Sequence, residues 1–218
     1  LLIVREQESL GWYKNDISEY ILKSAKAIGI NASLHEVGPP EISQSKDFFE
    51  KLNQFNCVIF FARLGDQNRF EENGFTTKRV MSYVRDCNSL ASIFGTLDYN
   101  LNIMVKDEID KLIQDSNKVK ISCPLGTNLT GDIILDNSAI KEVSVLRFPI
   151  LVTKPVAARS FSGKVVLNNY LTSTGSRVYK PNFIKIKSEA TILIENGKIT
   201  DIQGNPEDVN NIYSHYNF

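Results

Sequence analysis

The chain has 218 residues, and its 25 Lys and Arg balance its 25 Asp and Glu, so it carries no formal net charge at pH 7. This balance argues against nucleic acid and anionic membranes as partners, because both attract proteins through an excess of basic residues. The three cysteines lie far apart without a CxxC spacing, which excludes a disulfide framework and a zinc ribbon. No apolar run approaches the roughly 20 residues that cross a bilayer, and we therefore expect a cytoplasmic protein.

The first half of the chain alternates short apolar runs with helical patterns. The opening LLIV predicts a buried strand, and apolar residues then recur every three or four positions up to Gly29, which predicts an amphipathic helix. Asp16 and Glu19 have the spacing of a capping box at the start of that helix. The remaining pattern predicts, in chain order, a strand over 30–34, a helix over 46–55, a strand over 57–62, a helix over 77–87, a strand over 92–94, a helix over 106–114 and a strand over 118–123. This alternation predicts a parallel sheet covered by helices.

The pattern changes after Cys123, where β-branched residues alternate with polar ones as in half-buried antiparallel strands. Asn196-Gly197 predicts a tight hairpin turn between ATILIE and KITDIQ, and Pro206 predicts the start of a helix. We therefore assign the chain to the α/β class. A Rossmann-like parallel sheet domain over 1–123 is followed by a smaller, mainly antiparallel β region over 124–218, which leads into a carboxyl-terminal part outside this chain.

The segment FARLGDQNRF directly follows the apolar run CVIF, so a buried strand delivers its polar groups to one edge of the predicted sheet. Ligands bind at that edge in open parallel sheets, which makes Arg63, Asp66 and Arg69 candidate ligand-binding residues. The alternative is that Asp66 caps the next turn and pairs with Arg63 or Arg69, so that the loop is only structural. Spacing alone favours this alternative, because neither GxGxxG nor GxxxxGKS/T follows any strand.

A second candidate is the segment PLGTNLTG, which follows the predicted strand 118–123. Its Gly and Pro residues could expose backbone N–H groups and the hydroxyl of Thr127 to a carboxylate or a peptide. We therefore add Thr127 and Asn128 as candidate ligand-binding residues. The alternative is a plain turn between two domains.

Residues for catalysis are scarce in the sequence. His35 and His215 are the only histidines, and neither belongs to a metal-binding spacing such as HExxH. GxSxG is absent, and no cysteine has the setting of a nucleophile. We therefore assign no catalytic residue and no metal ligand.

Several segments together resemble the amino-terminal part of the aminopeptidase T-like metallopeptidases, a family with a dihydroxypyridine dioxygenase branch. These segments are LLIVREQES, FFARLGDQNRF, SCPLGTNLTGDI and ATILIENGKITDIQG. The resemblance implies an α/β amino-terminal domain, a homodimer, and a carboxyl-terminal domain with a metal centre of Glu, His and Asp ligands. It also implies a first metal ligand within residues 147–155, but RFPILVTKP contains no carboxylate. The chain itself then has no cofactor, and zinc, cobalt or iron would bind only if a part beyond Phe218 supplied ligands.

Two classes of function remain open. One is a non-catalytic protein, a pseudoenzyme with an aminopeptidase-like fold, that binds a peptide or a protein partner, for example as an accessory factor in a peptide-modifying pathway. The other is a metal-dependent aminopeptidase-like hydrolase whose catalytic half lies outside this chain. Loss of the carboxylate in 147–155 favours the binding protein, because a cation held by fewer anionic ligands gains less binding energy.

Overall fold

The structure, a computed structural model, describes residues 1–43, 46–66, 76–134, 145–153, 155–172 and 183–216. In chain order the strands are β1 (Leu2–Glu6), β2 (Ser33–Val37), β3 (Cys57–Phe61), β4 (Lys78–Ser82), β5 (Lys118–Ser122), β6 (Asn128–Asp132), β7 (Leu146–Phe148), β8 (Ser162–Leu167), β9 (Tyr170–Thr172), β10 (Phe183–Lys185), β11 (Ala190–Glu195) and β12 (Lys198–Gln203). The helices are α1 (Asn15–Ala27), α2 (Pro40–Ser43), α3 (Lys46–Leu52), α4 (Cys87–Ala91), α5 (Ile93–Thr96), α6 (Tyr99–Gln114) and α7 (Pro206–Tyr216). Among these described helices, none combines the length and the apolar character needed to span a membrane.

The chain divides into two units. The first contains Leu1–Glu108 and 145–153, and the second contains 109–134, 155–172 and 183–216. Each unit has its own sheet and its own cluster of buried apolar side chains.

The first unit is built on a parallel sheet with the strand order β2-β1-β3-β4-β7. The central strands β1 and β3 have apolar residues at successive positions, as expected for strands that are buried on both faces. Helix α1 packs Ile17 and Ala25 into the core and leaves its polar face exposed. The start of α1 differs from the predicted capping box, because the Asn15 N–H donates to the Glu8 carboxylate at 2.9 Å.

The second unit contains an antiparallel sheet with the strand order β12-β11-β8-β6-β5 and the separate pair β9 and β10. The predicted hairpin is confirmed: β11 and β12 pair across Asn196 and Gly197, which have φ angles of 48° and 73°. Helix α7 begins at Pro206, as predicted. Its buried Asp208 accepts hydrogen bonds from the backbone N–H groups of Lys187 and Ser188, and these bonds lower the pKa of that carboxyl.

The predicted fold class is confirmed, because a parallel sheet with helices is joined to a separate antiparallel sheet. Two local predictions are wrong. The segment 77–87 was predicted to be a helix but contains strand β4, because pairing with β3 outweighs the local helical pattern. The strand predicted over 92–94 instead overlaps helix α5. The strand predicted over 118–123 is present as β5, but it pairs antiparallel with β6 and does not join the parallel sheet. The parallel strand next to β4 is instead β7, from a much later part of the chain.

A candidate binding crevice at the end of the parallel sheet

The strand order places a switch point between β1 and β3. The chain leaves β1 for β2 on one side and then crosses back to β3 on the other side. In open parallel sheets a crevice forms at such a point, beyond the carboxyl ends of the two strands. Glu6 is the last residue of β1, and Arg63 follows β3 by two positions.

Glu6 and Arg63 join these two strand ends through several hydrogen bonds. The Arg63 Nε donates to Glu6 Oε1 at 2.9 Å, the Arg63 Nη2 donates to the same oxygen, and the Arg63 backbone N–H donates to Oε2 at 3.1 Å. The Glu6 side chain is 1% exposed, whereas the Arg63 side chain is 25% exposed. The guanidinium of Arg63 is therefore held in place by a buried carboxylate and remains partly exposed to solvent.

Trp12 lies beside this pair, in the loop between β1 and α1, and is 42% exposed. The Arg63 Cζ is 4.8 Å from the centroid of the Trp12 ring, and the Arg85 Cζ is 5.6 Å from it. Both distances are within the range of cation–π attraction. An exposed aromatic ring with two guanidinium groups over it thus lies near the carboxyl ends of β1 and β3, where such a crevice is expected.

The position of Arg85 is set by the backbone of the Trp12 loop. Its Nε donates to the Trp12 carbonyl at 2.6 Å and its Nη2 donates to the Gly11 carbonyl at 3.0 Å, while the Lys14 N–H donates to the Arg85 carbonyl at 2.9 Å. Within the described ranges, Arg85 forms no ion pair with a carboxylate. Glu6 pairs with Arg63 and not with Arg85. The positive charge of Arg85 therefore has no ion-pair partner among the described residues.

Tyr13 anchors the same loop from the inside. Its hydroxyl donates to the Ser82 carbonyl at 2.8 Å, and the side chain is buried. Burial is the main reason that the pKa of Tyr13 is raised, and the nearby carboxylates of Glu6 and Asp66 add to it. The hydroxyl therefore keeps its proton and remains a hydrogen-bond donor that holds the loop in place.

Asp66 lies at the end of a short 3-10 turn that begins at Arg63. The Tyr83 hydroxyl donates to Asp66 Oδ2 at 2.8 Å, and Arg147 Nη2 is 3.6 Å from Asp66 Oδ1. Asp66 thus contacts residues that follow β4 and belong to β7, whereas Arg63 contacts Glu6. The third candidate of this loop, Arg69, lies outside the described residues.

Thr127 and Asn128 belong to the second unit, where they join β5 to β6. The Thr127 hydroxyl oxygen accepts a hydrogen bond from the Val166 N–H at 2.9 Å, and the Thr127 carbonyl accepts one from the Cys123 N–H at 3.2 Å. Hydrogen bonding to Thr127 also lowers the pKa of the exposed Cys123 thiol. Thr127 therefore holds the turn to strand β8, while Asn128 is exposed at the start of β6.

Comparison with known proteins gives a likeness of fold. No family model and no curated protein matches the chain. A solved structure, that of 2,5-dihydroxypyridine dioxygenase from Pseudomonas putida KT2440, matches with a TM-score of 0.60 and 11% sequence identity. The match covers 100% of this chain and 66% of that chain, so this chain spans about two thirds of the dioxygenase.

The two proteins share a fold. At this identity the likeness carries no information on chemistry, and no match in sequence supports membership of the aminopeptidase T-like family.

The metal centre that the resemblance implies would take its first ligand from residues 147–155 and its other ligands from beyond Phe218. In the part of the chain that the structure describes, no three His, Cys, Asp or Glu side chains form a group that could hold a metal ion. In the segment where the resemblance places the first ligand, Arg147 contributes a cationic side chain that is 10% exposed.

The sequence did not identify Trp12 and Arg85 as members of the crevice. Arg85 falls inside the segment that was predicted to be a helix, and it reaches the sheet edge only because β4 ends at Ser82. Trp12 offered one signal, since it is the single tryptophan of the chain and lies in a polar loop after a strand.

Proposed function

We propose that the chain is a non-catalytic binding protein that recognises a peptide or protein partner at the crevice beyond β1 and β3. The observation that supports this most is the exposed ring of Trp12 under two guanidinium groups, of which only Arg63 has a carboxylate partner among the described residues. Such a site suits a carboxylate, because a guanidinium donates paired hydrogen bonds to one. The aromatic ring provides apolar contact area beside that charge.

Arg85 is the main anion-binding group in this proposal. Its backbone contacts fix the guanidinium before a ligand arrives, so little side-chain freedom is lost on binding. Arg63 positions the Trp12 ring and is itself positioned by Glu6. Arg69 stays a candidate for the same carboxylate.

A fluorescence titration tests this function, because Trp12 is the single tryptophan of the chain and reports directly on the crevice. The probe is a pool of random heptapeptides with free carboxyl termini, and the same pool with amidated termini is the comparison. We expect the free carboxylates to change the Trp12 emission and to bind more tightly than the amides. Arg85→Met should weaken binding at least about tenfold, as expected when a hydrogen bond to a charged group is lost.

The matched control is Arg159→Met, which removes an arginine from the second unit and should leave the titration unchanged. If isothermal titration and Trp12 emission both show no saturable binding of either pool, the proposed function is wrong. The same holds if Arg85→Met binds the peptides as the unchanged protein does.

We propose one alternative, a metal-dependent aminopeptidase-like hydrolase whose ligands are supplied by residues outside those described. It is supported by the sequence resemblance of segments such as FFARLGDQNRF and SCPLGTNLTGDI to the aminopeptidase T-like family. The test is metal analysis of the full-length protein together with release of amino acids from peptides. Stoichiometric zinc, cobalt or iron with amino acid release would favour this alternative, and the mass in solution would check the implied homodimer.

A further inference from the structure

A pocket of about 360 Å³ opens on one face of the parallel sheet. Side chains of a strand alternate between its two faces, and alternate residues of β3 and β4 line this pocket, together with Leu146, Arg147 and Phe148 of β7. The apolar floor consists of Ile59, Phe61, Val80, Leu146 and Phe148. The pocket therefore lies on the sheet face, and Trp12, Arg63 and Arg85 are not among its lining residues.

The walls come from the helices that pack on this face. Ile17 of α1, Leu90 of α4 and Tyr99 of α6 contribute side chains to the lining. The Tyr99 hydroxyl is already used, because it donates to the Arg147 carbonyl at 3.2 Å. The walls thus present mainly apolar surface to the pocket.

The two polar side chains of β4 that reach the pocket differ in what they offer a ligand. The Ser82 hydroxyl oxygen accepts from the Val84 N–H at 3.2 Å, so it is engaged with its own turn. Lys78 shares the face of Val80 and Ser82, and it forms no ion pair with the described residues. The pocket lining is thus almost entirely apolar and includes two cationic residues. Arg147 pairs with Asp66, whereas Lys78 is exposed and its ammonium group has no carboxylate partner among the described residues.

The neighbouring Cys57 lies close to this charge. Cys57 of β3 lies opposite Lys78 in the register of the sheet. Burial raises the pKa of the Cys57 thiol, and the largest opposing influence is the positive charge of Lys78. The ammonium group thus acts on the part of the sheet where the pocket floor begins.

We propose that this pocket binds a free medium-chain carboxylate, with its chain against the apolar floor and its carboxylate at Lys78. The volume is within the lower range of small-molecule pockets, which are mostly apolar with few polar groups. At roughly 30 Å³ per non-hydrogen atom, the share of a water molecule in the liquid, the pocket holds roughly twelve such atoms. Decanoate has this size and the required charge.

The experiment is isothermal titration of the full chain with decanoate, decanol and hexanoate. We expect one saturable site per chain for decanoate and weaker binding for decanol, which lacks the charge. Each methylene group removed between decanoate and hexanoate should weaken binding about fourfold, the factor for one buried CH₂ group. The Trp12 emission should stay unchanged, so the result is independent of the proposed peptide site.

Three variants locate the site. Val80→Trp fills the pocket and should abolish binding, and Leu146→Phe fills it from a half-exposed position if the first variant does not fold. Lys78→Met should weaken decanoate binding about threefold to fivefold, the value of an exposed ion pair, and should leave decanol unaffected. Lys120→Met, on an exposed strand of the second unit, is the matched control and should bind as the unchanged protein does.

Four results would overturn the proposal. They are the absence of saturable decanoate binding, binding that survives both filling variants, equal affinity for decanoate and decanol, and light scattering that shows the pocket covered by a second copy of the chain. In that last case the filling variants would change the mass in solution instead of the affinity.

Discussion

Glu6 is buried, whereas its partner Arg63 is partly exposed. Removal of Arg63 should therefore lower the free energy of unfolding more than removal of the Glu6 charge does. Arg63→Met leaves the Glu6 carboxylate, which is 1% exposed, without its guanidinium partner. Removal of one member of a buried ion pair lowers the free energy of unfolding by about 3 to 5 kcal/mol. Because Arg63 is not fully buried, we expect the lower value, about 3 kcal/mol.

Glu6→Gln should be milder. The Arg63 side chain is 25% exposed and can donate hydrogen bonds to water when the carboxylate is lost. The glutamine also keeps one oxygen that accepts from Arg63. We therefore expect a loss of about 1 to 2 kcal/mol, the value of a hydrogen bond to a charged group.

The double variant Glu6→Gln/Arg63→Met should lose less than the sum of the two single variants, because no buried charge is left. The difference should be about 2 kcal/mol, within the range of direct couplings. Urea unfolding followed by the emission of Trp12 measures each value, since the single tryptophan reports on the first unit. A loss for Arg63→Met no larger than that for Glu6→Gln would refute the reasoning, and so would additive losses in the double variant.

Three further predictions concern other parts of the chain. Gly65→Ala should lower the free energy of unfolding by about 1 to 3 kcal/mol, since its Cβ would lie 2.7 Å from the Phe60 side chain. The control is Gly38→Ala, whose Cβ would meet its nearest neighbour at 3.4 Å. Equal urea midpoints of the two variants would contradict this prediction. Cys123 should react with iodoacetamide at pH 7.5 faster than Cys57 and Cys87, because its thiol pKa is lowered whereas theirs are raised. Thr127→Val should slow the reaction of Cys123. An unchanged alkylation rate would show that the Thr127 hydroxyl does not stabilise the thiolate. Because the pKa of Asp208 is lowered, its ionised carboxyl should stabilise the second unit at pH values above the ordinary pKa of 3.8, and this stability should be lost as the pH falls through the lowered pKa. Hydrogen exchange of β11 and β12 as a function of pH measures this. An Asp208→Asn variant with the same pH profile would argue against it.

Local patterns were sufficient where the chain makes contacts close in sequence. The β11–β12 hairpin follows from Asn196-Gly197, because these residues accept the positive φ angles that a two-residue turn needs. The buried runs of β1 and β3 were likewise visible as uninterrupted apolar residues. The same logic failed for Lys78–Ser82, where a helical spacing of apolar residues lies in a strand that is held by pairing with β3 and β7.

The candidate crevice was predicted only in part. The sequence placed Arg63 and Asp66 at the end of a buried strand, and the structure has them there. It could not show that Glu6 is the partner of Arg63, since the two residues are 57 positions apart. Arg85 was hidden for the same reason, because its position depends on where β4 ends.

The sequence by itself determined the class of the fold, the hairpin and the edge of the sheet at which polar groups emerge. Turn preferences and apolar periodicity act over a few residues, so they can be recognised without knowledge of the rest of the chain. Tertiary structure alone decided that β7 joins the parallel sheet beside β4, that a buried carboxylate holds Arg63, and that two guanidinium groups meet over Trp12. Each of these depends on residues distant in sequence, and their meeting is set by strand order and packing.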